Sequence, residues 1–118
     1  MGNISSEERL RIIIEGLQEK KAKDLISLSF AKLHNPVCKY FVICHGDSST
    51  HVKAIADTVE EYVREHSKDR PWQKEGFENS QWIILDYGDT VIHVFLKEFR
   101  DHYRLEELWA DAEAKSYE

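Results

Sequence analysis

Apolar residues recur along this chain with two different periods. Leu10, Ile13, Ile14 and Leu17 stand at i, i+3, i+4 and i+7, the spacing of one face of a helix. Ser5 followed by Glu8 has the spacing of a capping box, so a helix is expected over about residues 5 to 20. Ile26, Leu28 and Phe30 then alternate with other side chains, which predicts a strand, and Asn35-Pro36 breaks the chain. From Val37 to Cys44 nearly every position is apolar, Tyr40, Phe41, Val42 and Ile43 among them. That is the pattern of a strand covered on both faces, and it places this segment at the centre of a sheet.

The polar turn His45-Gly46-Asp47-Ser48-Ser49-Thr50 supplies side chains that cap backbone amides. Beyond it Val52, Ile55, Ala56, Val59, Tyr62 and Val63 trace a second helical stripe, predicting a helix over about 49 to 66. Residues 67 to 78, with Pro71 and Gly76, read as a loop. Gln81 to Leu85 and Thr90 to Leu96 read as two strands joined by Asp86-Tyr87-Gly88-Asp89, an antiparallel hairpin whose glycine is free to take positive φ. Phe99, His102, Tyr103, Leu105, Leu108 and Trp109 return to helical spacing, so one helix or two short ones follow. Residues 113 to 118 are expected to fray. The order is then α-β-β-α-β-β-α, an α/β (α+β) fold with a mixed sheet flanked by helices. No repeat or linker interrupts it, so residues 1 to 118 are expected to form a single domain.

Composition narrows the function. Apolar residues make up 42% of the 118 and charged ones 32%, as in ordinary globular proteins. No run of about 18 apolar residues predicts a membrane span. Cys38 and Cys44 fall in one predicted strand, roughly 20 Å apart at about 3.3 Å per residue, too far to bond. Free cysteines and the lack of a zinc-like spacing point to the cytosol, with no metal and no cofactor. The net charge of -6 argues against a protein that grips DNA phosphates. Residues 98 to 118 alone carry seven carboxylates against three cations, which is first of all a solvated helical face.

Three constellations invite a chemical reading. Gly46-Asp47-Ser48-Ser49 at a strand-to-helix junction can hold an anion, but the same residues are good helix caps. The junction also has the look of nucleotidyltransferases, whose carboxylates hold magnesium from one strand face. Asp86 and Asp89 instead flank a turn three positions apart, whereas carboxylates sharing a strand face are separated by an even number. Cys44 and His45 are strand neighbours and point to opposite faces, so they cannot act as nucleophile and base. His93 shares a face with Val91 and Phe95 and is expected to be a hydrogen-bonded core histidine. No catalytic residue emerges. The aromatic residues are more informative: Trp82 shares a face with Ile84, Tyr87 is expected to be exposed on the tight turn, and Tyr103 and Trp109 lie on the closing helix. Such side chains dominate binding hot spots.

Four stretches resemble the ribosomal silencing factor, or Iojap, family: Lys20 to Leu25; Tyr40 to Ser48 with Val52 to Ala56; Trp82 to Asp89 with Val91 to Phe95; and Arg100 to Tyr103 with Leu105 to Ala112. They reach from residue 20 to 112, and the tryptophan-to-phenylalanine hairpin with the leucine-tryptophan ending is their most specific part. Lys39 stands where the family usually has an acidic residue, and His45-Gly46-Asp47 departs from its usual turn. The resemblance implies a nucleotidyltransferase-like fold without the active site. It implies a non-enzymatic translation repressor that binds the large ribosomal subunit through its fourteenth protein and blocks joining of the small subunit. It also implies a partner surface on the hairpin, which by residue match comprises Trp82, Leu85, Asp86 and Tyr87, with Glu75 and Gly76 as neighbours. An acidic protein suits a basic ribosomal partner.

Two other readings stay open, a divergent nucleotidyltransferase-like enzyme and a generic dimeric adaptor. A weak homodimer through an exposed sheet edge is expected. Whether Lys20, Lys21 and Lys23 touch ribosomal RNA is also open.

Overall fold

The computed structural model describes residues 4–30 and 38–117. The Asn35-Pro36 break and Val37 lie outside the described residues. Helix α1 spans Ser6–Gln18, and Ser5 caps it as its spacing predicts, its side chain accepting the Glu8 amide at 3.0 Å. Strands β1 (Lys23–Ser29) and β2 (Tyr40–Gly46) follow, then helix α2 (Ser49–Ser67) with Ser48 accepting the His51 amide. Strands β3 (Gln73–Glu75), β4 (Trp82–Asp86) and β5 (Thr90–Leu96) come next. Two short helices, α3 (Lys97–Tyr103) and α4 (Leu105–Leu108), precede strand β6 (Glu113–Tyr117).

All six strands join in one mixed sheet, ordered β3-β4-β5-β2-β1-β6. The apolar strand β2 lies inside it, parallel to β5 and antiparallel to β1. The hairpin forms as expected, β4 antiparallel to β5, and Gly88 takes φ +92 in its turn. Two expectations are overturned. Residues 113–117 do not fray but pair with β1 as an edge strand, and the supposed loop over 67 to 78 contains β3, which closes the opposite edge. Both are edge strands with mostly exposed side chains, so backbone pairing rather than an apolar face holds them. The element order is therefore α-β-β-α-β-β-β-α-α-β.

The two faces of the sheet are covered unequally. Helices α1 and α2 lie together on one face, where Ile13, Leu17, Ile55 and Val59 meet Val42, Cys44, Ile83, Leu85, Ile92 and Val94 in the larger core. On the other face α3, α4 and the segment after α4 bring Phe99, Leu105, Trp109 and Ala112 over Leu28, Phe30, Ile43 and Phe95. Ile84 and Val91 belong to neither core and are half-buried.

Arg9, largely buried, fastens the start of α1 to two distant segments. It bonds to Asp69 in the α2–β3 connection at 2.9 Å and to Asp89 in the hairpin turn at 2.6 Å, while Ser6 donates to the same Asp89 oxygen. With two carboxylates on one guanidinium, this clamp fixes the hairpin turn relative to the helices.

Candidate functional site

Because side chains alternate along a strand and paired residues share a face, the register sorts the hairpin residues. Trp82, Ile84 and Asp86 face away from α1 and α2. Beside Ile84 lie Glu75 on one side and His93 on the other, and beside Asp86 lie Gln73 and Val91. Ile83 and Leu85 face the helices. Tyr87, next in that alternation, follows them.

This sorting corrects two expectations. Leu85 is fully buried under the helices and Tyr87 is only 5% exposed, packed in the same core, so neither side chain reaches a partner from this structure. The Tyr87 hydroxyl has no hydrogen-bond partner among the described residues, and burial, with the Glu60 and Asp69 carboxylates nearby, pushes its pKa up. The alternation Ile83-Leu85-Tyr87 was the signal for this, since it carries the tyrosine onto the buried face.

Trp82 is half-buried, and its indole is already engaged. Its N–H donates to His93 Nδ1 at 3.1 Å, its ring stacks on Phe95 at 4.9 Å, and Tyr103 lies across it at 4.9 Å. The bond from Trp82 leaves the neutral His93 proton on Nε2, and burial pushes that imidazole down to about 4. His93 is thus the hydrogen-bonded core histidine expected. Tyr103, 46% exposed, presents the outer aromatic surface above Trp82. Asp86 is half-buried and accepts the Gly88 amide at 2.8 Å. Glu75 is exposed, and Gly76 is there for the backbone: its φ is +91, and a Cβ would lie 2.0 Å from the Trp82 carbonyl oxygen.

The open face therefore presents Trp82 under Tyr103, then Ile84, Val91 and Asp86, with Glu75 at the β3 rim. An apolar centre edged by carboxylates has the make-up of a docking patch whose rim complements positive charge. Sequence reasoning placed Tyr103 on a helix but not against Trp82. It missed Trp72 altogether, which is 81% exposed before β3.

The features with a chemical reading are otherwise employed. Asp89 serves the Arg9 clamp and Asp86 the turn, so the two do not converge. At the glycine junction the Asp47 amide donates to His51 Nδ1 and Asp47 pairs with Lys23, which makes it a cap. Cys44 is buried in the larger core with its thiol pushed up to about 12 by burial, while His45 lies on the other face against Arg100. That arginine donates to His45 Nδ1 at 3.0 Å and pairs with Glu106 at 2.9 Å. Burial, then the Arg100 charge, lowers the His45 pKa. A cleft of about 770 Å³ opens beside them, but among its charged groups Lys97 already holds Asp101, and Arg100 holds Glu106. Among the described residues no three His, Cys, Asp or Glu side chains are grouped to hold a metal ion, and no helix is long and apolar enough to cross a membrane.

A family model described as "Ribosomal silencing factor during starvation" matches residues 3–118. The Ribosomal silencing factor RsfS of Halalkalibacterium halodurans is 35% identical over 109 residues, covering 92% of each chain. The crystal structure of a Chromobacterium violaceum protein superposes with a TM-score of 0.84 at 36% identity, over 91% of this chain and 88% of that one. A mouse protein named "Mitochondrial assembly of ribosomal large subunit protein 1" is 29% identical over 109 residues, 91% of this chain and 47% of its own length.

Proposed function

The chain belongs to the ribosomal silencing factor family, and from that premise we propose that it docks on the large ribosomal subunit through the fourteenth protein and keeps the small subunit from joining. The observation that carries this reading is the uneven cover of the sheet. One face is closed by α1 and α2, while the other leaves Trp82, Tyr103, Ile84 and Val91 at a surface edged by Asp86 and Glu75. A folded chain tolerates such a patch best where a partner covers it. The chain's net negative charge steers it toward a basic ribosomal protein. The mouse relative's name associates that protein with the large subunit. Repression then needs only occupancy of the joining surface, in the cytoplasm where subunits meet, with no turnover.

Sedimentation of purified chain with isolated large and small subunits tests the docking, and light scattering of subunit joining tests the silencing. Wild type should migrate with large subunits and inhibit joining near one copy per subunit. Tyr103→Ala should weaken binding five- to thirtyfold, about 1 to 2 kcal/mol, because the ring contributes to an aromatic centre. A wild-type chain that stays at the top of the gradient would sink the reading. Saturable binding of magnesium-nucleotide in calorimetry, lost on Asp86→Ala with Asp89→Ala, would favour the enzyme alternative instead.

A further inference from the structure

Tyr103 reaches the open face because α3 carries it there, and α3 has few ties of its own. The helix is seven residues long, well below the roughly 12 at which a helix begins to persist alone in water. Leu96 gives it no side-chain cap, and its one buried side chain is Arg100. Phe99 is half-buried against the smaller core, and Tyr103 follows Arg100 by about one turn.

A guanidinium is costly to bury unless its donors are met, and each nitrogen of Arg100 has a partner. Nη1 donates to His45 Nδ1 at 3.0 Å and to the Lys23 carbonyl at 3.3 Å, while Nε and Nη2 both reach one Glu106 oxygen at 2.9 Å. One side chain thereby ties α3 to β1, to β2 and to α4. The bond to His45 carries a condition. Arginine can only donate, so His45 Nδ1 must accept, and it does so only while the imidazole is neutral with its proton on Nε2.

We propose that Arg100 is a positioning residue for docking: bonded to neutral His45 it holds α3 with Tyr103 over Trp82, and protonation of His45 releases that hold. The proposal rests on the docking reading above and gives that surface a support lying behind it. A protonated His45 would set two cations against each other with no acceptor between them. Arg100 and Lys97 of α3 oppose the added charge, whereas Asp24 of β1 and Asp47 beyond β2 favour it. Asp101 also lies within electrostatic reach of His45. Most of these carboxylates are engaged: Asp47 pairs with Lys23, Asp101 with Lys97, Glu106 with Arg100, and Glu107 with Arg104 at the cleft rim. Burial first, and then Arg100, prevail and keep the His45 pKa below 6.5. The hold is therefore complete above about pH 6.5 and weakens as the pH falls from there toward the lowered value.

Two measurements on the whole chain test this. In the free chain, the indole N–H resonance of Trp82 reports the Tyr103 ring above it. Arg100→Lys keeps the charge but loses the fork that meets His45, Lys23 and Glu106 together, so it should move that resonance toward its position in Tyr103→Ala. Acidification from about pH 7.5 to about pH 5, still above the range in which His93 protonates, should do the same in wild type. It should not do so in His45→Asn, whose Oδ1 stands in for Nδ1 and accepts at every pH.

Co-sedimentation with isolated large subunits, well below the melting temperature of each variant, gives the second readout. Folded Arg100→Lys should bind at least about fivefold more weakly, and Tyr103→Ala added to it should cost at most about twofold beyond Tyr103→Ala alone, since Arg100 acts through that ring. The ratio of wild-type to His45→Asn affinity should fall with pH, because groups that titrate on the subunit cancel in it. A Trp82 resonance indifferent to Arg100→Lys and to acid refutes the hold, whatever the subunits show. Losses at Arg100 and Tyr103 that add in full overturn it too, since Arg100 would then act on docking by another route. If the resonance moves as expected but wild type does not bind large subunits, the docking reading fails and the role given to Arg100 falls with it.

Discussion

Strand β4 has two sides that look alike in sequence and live in different surroundings. Ile83 and Leu85 are sealed under α1 and α2, and Tyr87 continues that side into the hairpin turn. Trp82, Ile84 and Asp86 stand on the opposite side, where cover comes from two short helices and stops before Ile84 and Val91. One side is complete within the chain, whereas the other is finished only in part. The contrast separates residues that a fold needs from residues that a partner can reach, although all are neighbours in one five-residue strand and its turn.

The most forceful way to break the contrast is at Leu85. Truncating a fully buried leucine forfeits its transfer energy and leaves a cavity, so Leu85→Ala should lose about 3 to 4 kcal/mol and melt well over 10 °C lower. Binding to large subunits should fall only as far as the unfolded fraction rises. A stably folded Leu85→Ala that no longer binds would put Leu85 back on the partner surface.

The pH dependence tests the open side, where His93 is buried without a charge partner. Its folded value of about 4 lies below the ordinary 6.5. Between these limits the unfolded chain takes up a proton that the folded chain refuses. Stability is therefore intact above about pH 6.5 and declines as the pH falls toward 4, by up to about 3 kcal/mol. His45, lowered by burial and by Arg100, adds a loss of the same sign. His93→Asn retains an acceptor for the Trp82 indole but has no such proton, so denaturant midpoints measured across this range should fall less steeply than in wild type. Parallel curves would mean that His93 ionises freely.

The smallest expected effect is on Tyr87. Its buried hydroxyl lacks a partner among the described residues, and removing an unsatisfied group costs nothing that folding had gained. Tyr87→Phe should be neutral or more stable by about 1 kcal/mol, raising the melting temperature by a few degrees. A lower melting temperature would reveal a hydroxyl bond to the Glu60 or Asp69 side.

Periodicity made the core elements legible because burial imposes it. Ile13, Leu17, Ile55 and Val59 were placed by their spacing alone and all are inaccessible. Gln73-Lys74-Glu75 and Glu113 to Tyr117 were not readable as strands, since an edge held by backbone pairing leaves little mark on side-chain pattern. At the candidate site, Trp82 and Asp86 were picked out through the family resemblance and through chemistry, and the register puts both on the open face. Tyr87 was misplaced because turn propensity was weighed above the alternation that runs into it. Tyr103 and Trp72 depend on where distant segments come to rest, one on Trp82 and one on Gly88, which local spacing does not encode.

The pairing of β1 with β6 also bears on how the chain is made. Ser27 and Tyr117 share a hydrogen bond although 90 residues separate them. During synthesis β1 can pair with β2 early, but its outer neighbour is the last described element to emerge. Until then β1 is a bare edge, the kind of template on which nascent chains associate wrongly. In a chain whose family acts on ribosomes, the sheet is therefore completed only when β6 pairs, after every other described strand has been made, and that strand doubles as a guard for the β1 edge.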